Sequence, residues 1–395
     1  MEGDFIKVND YLLPLSWLYG CGVRIRNFCF DVGILKSSAF HVPVIAVGNI
    51  TVGGTGKTPH VEYLVRLLQQ RFSVAVLSRG YKRKTSGFIL ADTTTSVRDI
   101  GDEPLQMKRK FPAATIAVDK KRVDGIRRLI ESEPTPDVIL LDDAFQHRYV
   151  KPGINILLVD YHRLIIYDKL LPAGRLREPL NGKNRADIVI ITKCPKELKP
   201  MEFRVITKAM NLFPYQHLYF TRLAYDELQP LYSAQPLTLS ELPAINTLLL
   251  TGIASPRQMK EDLQEIIADS STTTPTGTIS TITFPDHHTF TQKDVERINN
   301  AFAAMPSPKI VITTEKDAVR LDDAIGLSDE LRQHLYVLPV RIQFMQQGQE
   351  EKFAEHIMGY VVKNSRNSTL TKAVTEHKAR KDAPSRDKPK TISFK

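Results

Sequence analysis

At 395 residues the chain is too long for one ordinary core, and two domains is the expectation. With 42% apolar and 25% charged residues it has the composition of a globular protein, which excludes a disordered, collagen-like or multi-spanning membrane chain. Its three cysteines (Cys21, Cys29 and Cys194), with no Cys/His cluster at zinc-ligand spacing, exclude a disulfide scaffold and point to a reducing compartment.

The formal charge of +10 is unevenly spread. Lys363 to the end holds 10 Lys/Arg against 3 Asp/Glu, and Arg79–Arg128 holds 13 against 6. The first block is a tail. The second lies inside the folded region, where it suits a phosphorylated substrate or an anionic membrane, or serves only as solvated surface.

The start of the chain lacks the basic n-region of a secretory signal: Glu2, Asp4 and Asp10 stand there instead. Between Asp10 and Arg24 lie thirteen uncharged residues, short of the ~20 of a spanning helix. Leu15, Leu18, Gly22, Ile25, Cys29 and Val32 mark one helical face, with Trp17 and Tyr19 beside it. Residues 1–40 therefore read as an amphipathic helix region, either lying on a membrane surface or packed on its own domain.

From residue 41 to 217 apolar runs alternate with helical patterns. Val44–Val47, Val74–Leu77, Thr115–Val118, Val138–Leu141, Ile154–Val159 and Ile188–Ile191 read as buried strands. Val61, Leu64, Val65 and Leu68 give a helix face between the first two. Such alternation predicts an α/β fold, a mostly parallel sheet sandwiched by helices. Residues 218–232 read as a linker, and 233–345 as a smaller α/β domain with strands at Thr247–Leu250, Ile279–Phe284, Ile310–Thr313 and Leu335–Val340. A terminal helix is expected over 346–362 and a basic disordered tail over 363–395.

The strongest local signal is Gly53-Gly54-Thr55-Gly56-Lys57-Thr58, between a strand and a helix. Glycines let successive N–H groups converge on phosphate oxygens, and the helix N-terminus adds its dipole. In such a P-loop Lys57 would reach the β- and γ-phosphates and Thr58 would offer its hydroxyl to Mg²⁺. The motif asks for Gly at position 51, where Thr51 stands. Val138–Leu141 then delivers Asp142 and Asp143 to a strand end, where a P-loop protein holds its Mg²⁺. Thr192-Lys193-Cys194-Pro195 carries proline where a guanine-reading aspartate would stand, so ATP is the expected nucleotide.

Further motifs accompany the loop: Ser78-Arg79-Gly80-Tyr81, Gly101-Asp102-Glu103-Pro104, and Leu141 through Arg148. Beyond them come Leu171-Pro172-Ala173-Gly174-Arg175-Leu176-Arg177-Glu178-Pro179, Phe284-Pro285-Asp286-His287-His288 and Thr314-Glu315-Lys316-Asp317-Ala318. In this order, from about residue 12 to 360, the chain resembles the tetraacyldisaccharide 4′-kinase family, the ATP-dependent lipid A kinases of Gram-negative bacteria. It departs from the family at Lys82 and Ala144, where glycine is usual.

The resemblance implies transfer of the γ-phosphoryl of ATP to the 4′-hydroxyl of a tetraacylated glucosamine disaccharide 1-phosphate, giving lipid IVA. It implies a P-loop NTPase-like domain and a smaller α/β domain joined by a short β linker, ATP in the cleft, and an N-terminal helix at the cytoplasmic face of the inner membrane. Asp102 is then the expected general base, with His287 of the other domain, chosen over His288 from the motif, as its dyad partner. Asp143 would bind metal or orient water. Arg79, Tyr81, Arg122, Gln146, Arg175 and Arg177 are the expected substrate contacts. A monomer is expected, and no nucleic acid, because the tail lacks interleaved aromatics. The alternative is a P-loop switch or partition-type ATPase acting through a protein or DNA partner.

Overall fold

The computed structural model describes residues 8–232, 235–253, 256–270, 277–286, 288–322 and 325–381. After a short 3₁₀ turn the chain forms α1 (Leu13–Asp31). The large domain follows with β1 (Val44–Gly48), α2 (Lys57–Leu68), β2 (Val74–Ser78), β3 (Ile89–Leu90), α3 (Val97–Ile100) and α4 (Asp102–Lys110). It continues through β4 (Thr115–Val118), α5 (Arg122–Glu131), β5 (Val138–Asp142), β6 (Ile154–Asp160), β7 (Ile188–Thr192), α6 (Pro200–Met210) and β8 (His217–Tyr225).

The smaller domain comprises β9 (Gln229–Pro230), β10 (Asn246–Thr251), α7 (Pro256–Ser270), β11 (Ile279–Thr283), α8 (Gln292–Ala303) and β12 (Lys309–Thr314). It closes with α9 (Glu315–Asp322), α10 (Asp329–Gln333) and β13 (Leu335–Leu338). The chain then returns to the large domain as β14 (Val340–Phe344) and α11 (Gln349–Lys381).

Among the described residues the large sheet runs β14-β8-β7-β6-β1-β5-β2-β4-β3, parallel except for β3 and β14 at its edges. Strands β1, β2, β5 and β7 are buried at every position, as continuous apolar runs in a doubly covered sheet require. Val61, Leu64, Val65 and Leu68 of α2 enter this core, which also buries Phe353, Ile357 and Val361 of α11. The smaller sheet runs β11-β10-β12-β13-β9 with only β9 antiparallel.

The boundaries drawn from sequence shift at the junction. β8 belongs to the large sheet, and Leu335–Val340 is not one strand. Val340 instead opens β14, which pairs antiparallel with β8 from Val340 opposite Tyr225 to Phe344 opposite Thr221. Two crossing segments therefore join the domains, and their large-domain ends form one ladder. The terminal helix also runs past residue 362 to Lys381, over the first part of the expected disordered tail, whose residues 382–395 lie outside the described residues. Extending a helix already nucleated on the sheet costs little per residue.

α1 leaves most of its apolar stripe uncovered. Leu15, Leu18, Ile25 and Val32 point outward and are each more than half exposed, while Ser16, Gly20 and Phe30 face the domain. These four side chains are not covered by their own domain, while Cys29 of the same stripe is half-buried.

Candidate active site

The C-terminal ends of β1, β5, β6 and β7 converge on the loop between β1 and α2. Gly53 and Gly56 lie at φ +120° and +75°, and Gly56 caps α2. The side chain of Thr55 turns into the protein, where Asn49 Nδ2 donates to its hydroxyl at 3.0 Å. His60, buried in the first turns of α2, ties the loop to the sheet. Its Nδ1–H donates to the Gly56 carbonyl at 2.7 Å, so Nε2 accepts from the Thr221 hydroxyl at 3.0 Å. Burial holds this imidazole neutral, with its pKa lowered to about 4.

Thr51, where the motif asks for glycine, is explained by a second strap. Its backbone bridges to Leu176, Val52 N–H donates to Arg175 O at 2.8 Å, and Arg177 N–H donates to Ile50 O at 2.7 Å. The mouth of the loop is held as a short extended ladder, which needs no glycine. From β7, Thr192 donates to the Thr55 carbonyl at 3.0 Å, and Lys193 donates to the Gly54 carbonyl and lies 3.0 Å from Asp160. The Thr-Lys pair that sequence reading weighed only for nucleobase choice therefore braces the phosphate loop.

Lys57 lies 3.6 Å from Asp143, whose backbone is left-handed at φ +49°. Because Asp143 and not Ala144 takes the positive φ, the extra methyl of Ala144 is tolerated. Lys82, the other departure, does sit at φ +60°, where glycine is favoured. Asp142 is 2% exposed; Ser78 donates to its Oδ2 at 3.2 Å, and its Oδ1 is buried without a hydrogen-bond partner. Burial first, then Glu103 and Asp143, push its pKa up to about 7.

This orphaned oxygen is the local test for Mg²⁺. Among the described residues no three His, Cys, Asp or Glu side chains form a metal cage. Mg²⁺ in phosphoryl-transfer sites asks for only one or two carboxylates and takes its other ligands from phosphates and water. Asp142, with Asp143 beside it and Thr58 in the first turn of α2, fits that requirement.

The base candidate stands at the first position of α4. Gly101 at φ +92° is required there, since a Cβ would fall 2.7 Å from the Tyr81 carbonyl. Asp102 is nearly buried and pairs with Arg320 of α9, whose other nitrogen holds Asp317 at 3.1 Å. Among the described residues a guanidinium thus reaches it across the domain boundary; His287 lies outside them. His288 is engaged elsewhere, with Nε2 2.9 Å from Asp294 and its ring stacked on Phe284.

The expected substrate contacts divide into two sets. Arg79, Tyr81 and Arg175 are exposed around the mouth. Arg177 faces Asp143 at 3.9 Å and donates to Gln146 Oε1 at 3.4 Å. Arg122 departs from its expected role. It is 2% exposed and donates to the backbone carbonyls of Asp119 at 2.6 Å and Asp142 at 3.1 Å, so it supports the acid pair from behind. Burial lowers its pKa to about 10.

Sequence reasoning missed Glu103 and His147. The first acts electrostatically on Asp142; the second is lowered to about 4, by burial first and then by Arg122, Arg26 and Arg79. Both stood inside matched motifs, the only signal available. The site is thus a basic cleft around a small acidic centre, suited to holding phosphates.

A family model described as "LpxK: Tetraacyldisaccharide-1-P 4'-kinase" matches residues 8–359. The chain is 55% identical over 376 residues to the tetraacyldisaccharide 4'-kinase of Phocaeicola vulgatus, covering 94% of this chain and 100% of the relative. It is 49% identical over 390 residues to that of Bacteroides thetaiotaomicron, covering 96% and 100%. Its fold is similar to the crystal structure of LpxK from Aquifex aeolicus in complex with ATP, with a TM-score of 0.69 at 28% identity over 89% of this chain and 98% of the other.

Proposed function

The chain belongs to the tetraacyldisaccharide-1-P 4′-kinase family, and on that footing we propose that it transfers the γ-phosphoryl group of ATP to the 4′-hydroxyl of tetraacyldisaccharide 1-phosphate, giving lipid IVA in lipid A biosynthesis. The observation that carries this reading at the level of the site is Asp142, whose buried oxygen has no hydrogen-bond partner and whose carboxyl interacts electrostatically with both Lys57 of the phosphate loop and Glu103 of the helix that bears Asp102.

Phosphoryl transfer needs positioning and charge neutralisation more than covalent chemistry from the protein. The Gly53–Gly56 backbone and Lys57 hold the β,γ-phosphates. Thr58, Asp142 and Asp143 would hold Mg²⁺, which supplies further neutralisation of phosphate charge when bound. Asp102 accepts the proton of the 4′-hydroxyl on its carboxylate as the oxygen–phosphorus bond forms. His287 would be the dyad partner of that carboxylate, on the family motif alone. Arg79, Tyr81, Gln146, Arg175 and Arg177 surround the acceptor end, with the arginines facing its 1-phosphate.

Among the described residues no helix is long and apolar enough to cross a membrane. The exposed apolar side of α1, with Trp17 68% and Leu18 64% exposed, supports peripheral docking on a membrane surface, which the proposed activity puts at the cytoplasmic face of the inner membrane; a monomer is proposed with it. The deciding experiment is label transfer from γ-labelled ATP to the purified disaccharide lipid in detergent. Wild-type protein transfers label and Lys57→Ala does not; absence of transfer by wild type, or full transfer by the variant, defeats the reading. Flotation with anionic vesicles tests the docking separately, with loss expected for Trp17→Ser combined with Leu18→Ser.

A further inference from the structure

We propose that Ser16 and Tyr19 of α1 are positioning residues for phosphoryl transfer, acting through the Leu170–Glu178 segment to hold the phosphate loop and Arg177 in register. The inference rests on the kinase reading and is independent of membrane docking.

The inward face of α1 is bolted to this segment. The Ser16 hydroxyl, 5% exposed, accepts from Ala173 N–H at 2.9 Å and lies 3.0 Å from the Leu170 carbonyl, with its own Leu12 carbonyl at 3.2 Å. A Cβ at Gly20 would fall 2.7 Å from Leu170 Cδ1, so the helix sits against the segment with no room to spare. One turn along, the Tyr19 hydroxyl donates to the Arg177 carbonyl at 2.8 Å. A buried hydroxyl is retained only where it has partners, and here two of its three, Leu170 O and Ala173 N–H, belong to another element.

The opposite side of the segment grips the nucleotide loop. Arg177 N–H donates to Ile50 O at 2.7 Å and Arg175 O accepts from Val52 N–H at 2.8 Å. Arg177 therefore has its carbonyl on α1, its N–H on the phosphate loop, and its guanidinium 3.9 Å from Asp143. The segment is stiff between these ends. Asp168, 6% exposed, accepts from Arg175 N–H at 3.1 Å and from Lys169 N–H at 2.8 Å, and pairs with Arg163 at 2.7 Å. A shift at α1 cannot be absorbed locally and moves Ile50–Val52 and Arg177 with it.

The test uses the full chain with Tyr19→Phe and Ser16→Ala, MgATP affinity by calorimetry, and label-transfer kinetics in detergent without vesicles. Either variant is expected to raise the dissociation constant and KM for ATP about fivefold, the worth of one hydrogen bond, with kcat within about twofold. Wild-type affinity in both variants, or a fall in kcat at unchanged KM, overturns the proposal. Ser16→Ala strands Ala173 N–H in the interior and is at risk of misfolding. Tyr19→Phe removes a single hydroxyl from a side chain 37% exposed and keeps the test decisive. If wild-type protein moved no label to the lipid, the kinase reading would fail while calorimetry still judged the strap.

Discussion

Arg320 of α9 holds Asp102 of α4 in an ion pair that crosses the boundary between the two domains. The residue expected to take the proton from the acceptor is therefore fixed from the smaller domain, by a guanidinium that also grips Asp317, itself the cap on Gly252 N–H at 2.8 Å and on the Thr314 hydroxyl. The same boundary carries Lys110, between Glu62 at 2.6 Å and Glu315 at 2.5 Å, and Arg109 with Asp322 at 3.0 Å. The helix that presents Asp102 is thus clamped at both ends.

Asp102→Asn keeps the shape of this clamp and removes the basic carboxylate. Its kcat is expected to fall about a hundredfold or more, with MgATP affinity little changed. Arg320→Met leaves two nearly buried carboxylates without their cation and is expected to cost about 3 kcal/mol of stability. Label transfer and denaturant melts check the two; normal turnover in Asp102→Asn would remove the assigned base.

Asp142 supplies a pH dependence whose sign follows from burial. The fold raises its pKa from 3.8 to about 7, so the folded state binds this proton more tightly than the unfolded chain. The stability it contributes is complete below the unfolded value and is lost as pH rises through the folded one. In metal-free buffer at pH 8, Asp142→Asn is expected to gain on the order of 1–2 kcal/mol over wild type while losing phosphoryl transfer. Equal stability of the two proteins across thermal melts from pH 4 to 8 would contradict this.

Lys193 sits at φ +56°, an uncommon conformation for a side-chain-bearing residue, at the end of β7 with its ammonium group on the phosphate loop and Asp160. Lys193→Ala should loosen the Gly54 peptide and raise KM for ATP about fivefold, with KM for the lipid unaltered. Equal weakening of both substrates in steady-state kinetics would point to general damage instead.

Lys82 is exposed and left-handed at φ +60°. Lys82→Gly relieves the steric cost, partly offset by the greater entropy of glycine in the unfolded chain, and is expected to stabilise by roughly 0.5 kcal/mol. A thermal midpoint below that of wild type would show that the side chain contributes more than its backbone costs.

The sequence by itself determined the elements whose signal is local. Val44–Val47, Thr115–Val118 and Ile188–Ile191 are strands because unbroken apolar runs suit only a sheet covered on both faces, and Gly53–Thr58 announces its phosphate chemistry through backbone freedom and one lysine. Period-3.6 spacing also marked α1, but it could not say which way the stripe faced. Partners distant along the chain decided the rest. Val340–Phe344 joins the large sheet because β8 offers it an edge, Arg122 withdraws from the cleft onto backbone carbonyls, and Arg320 meets Asp102 across 218 positions. A charge brought out of water must find its counterpart wherever the fold places one, and residue spacing alone does not encode that choice.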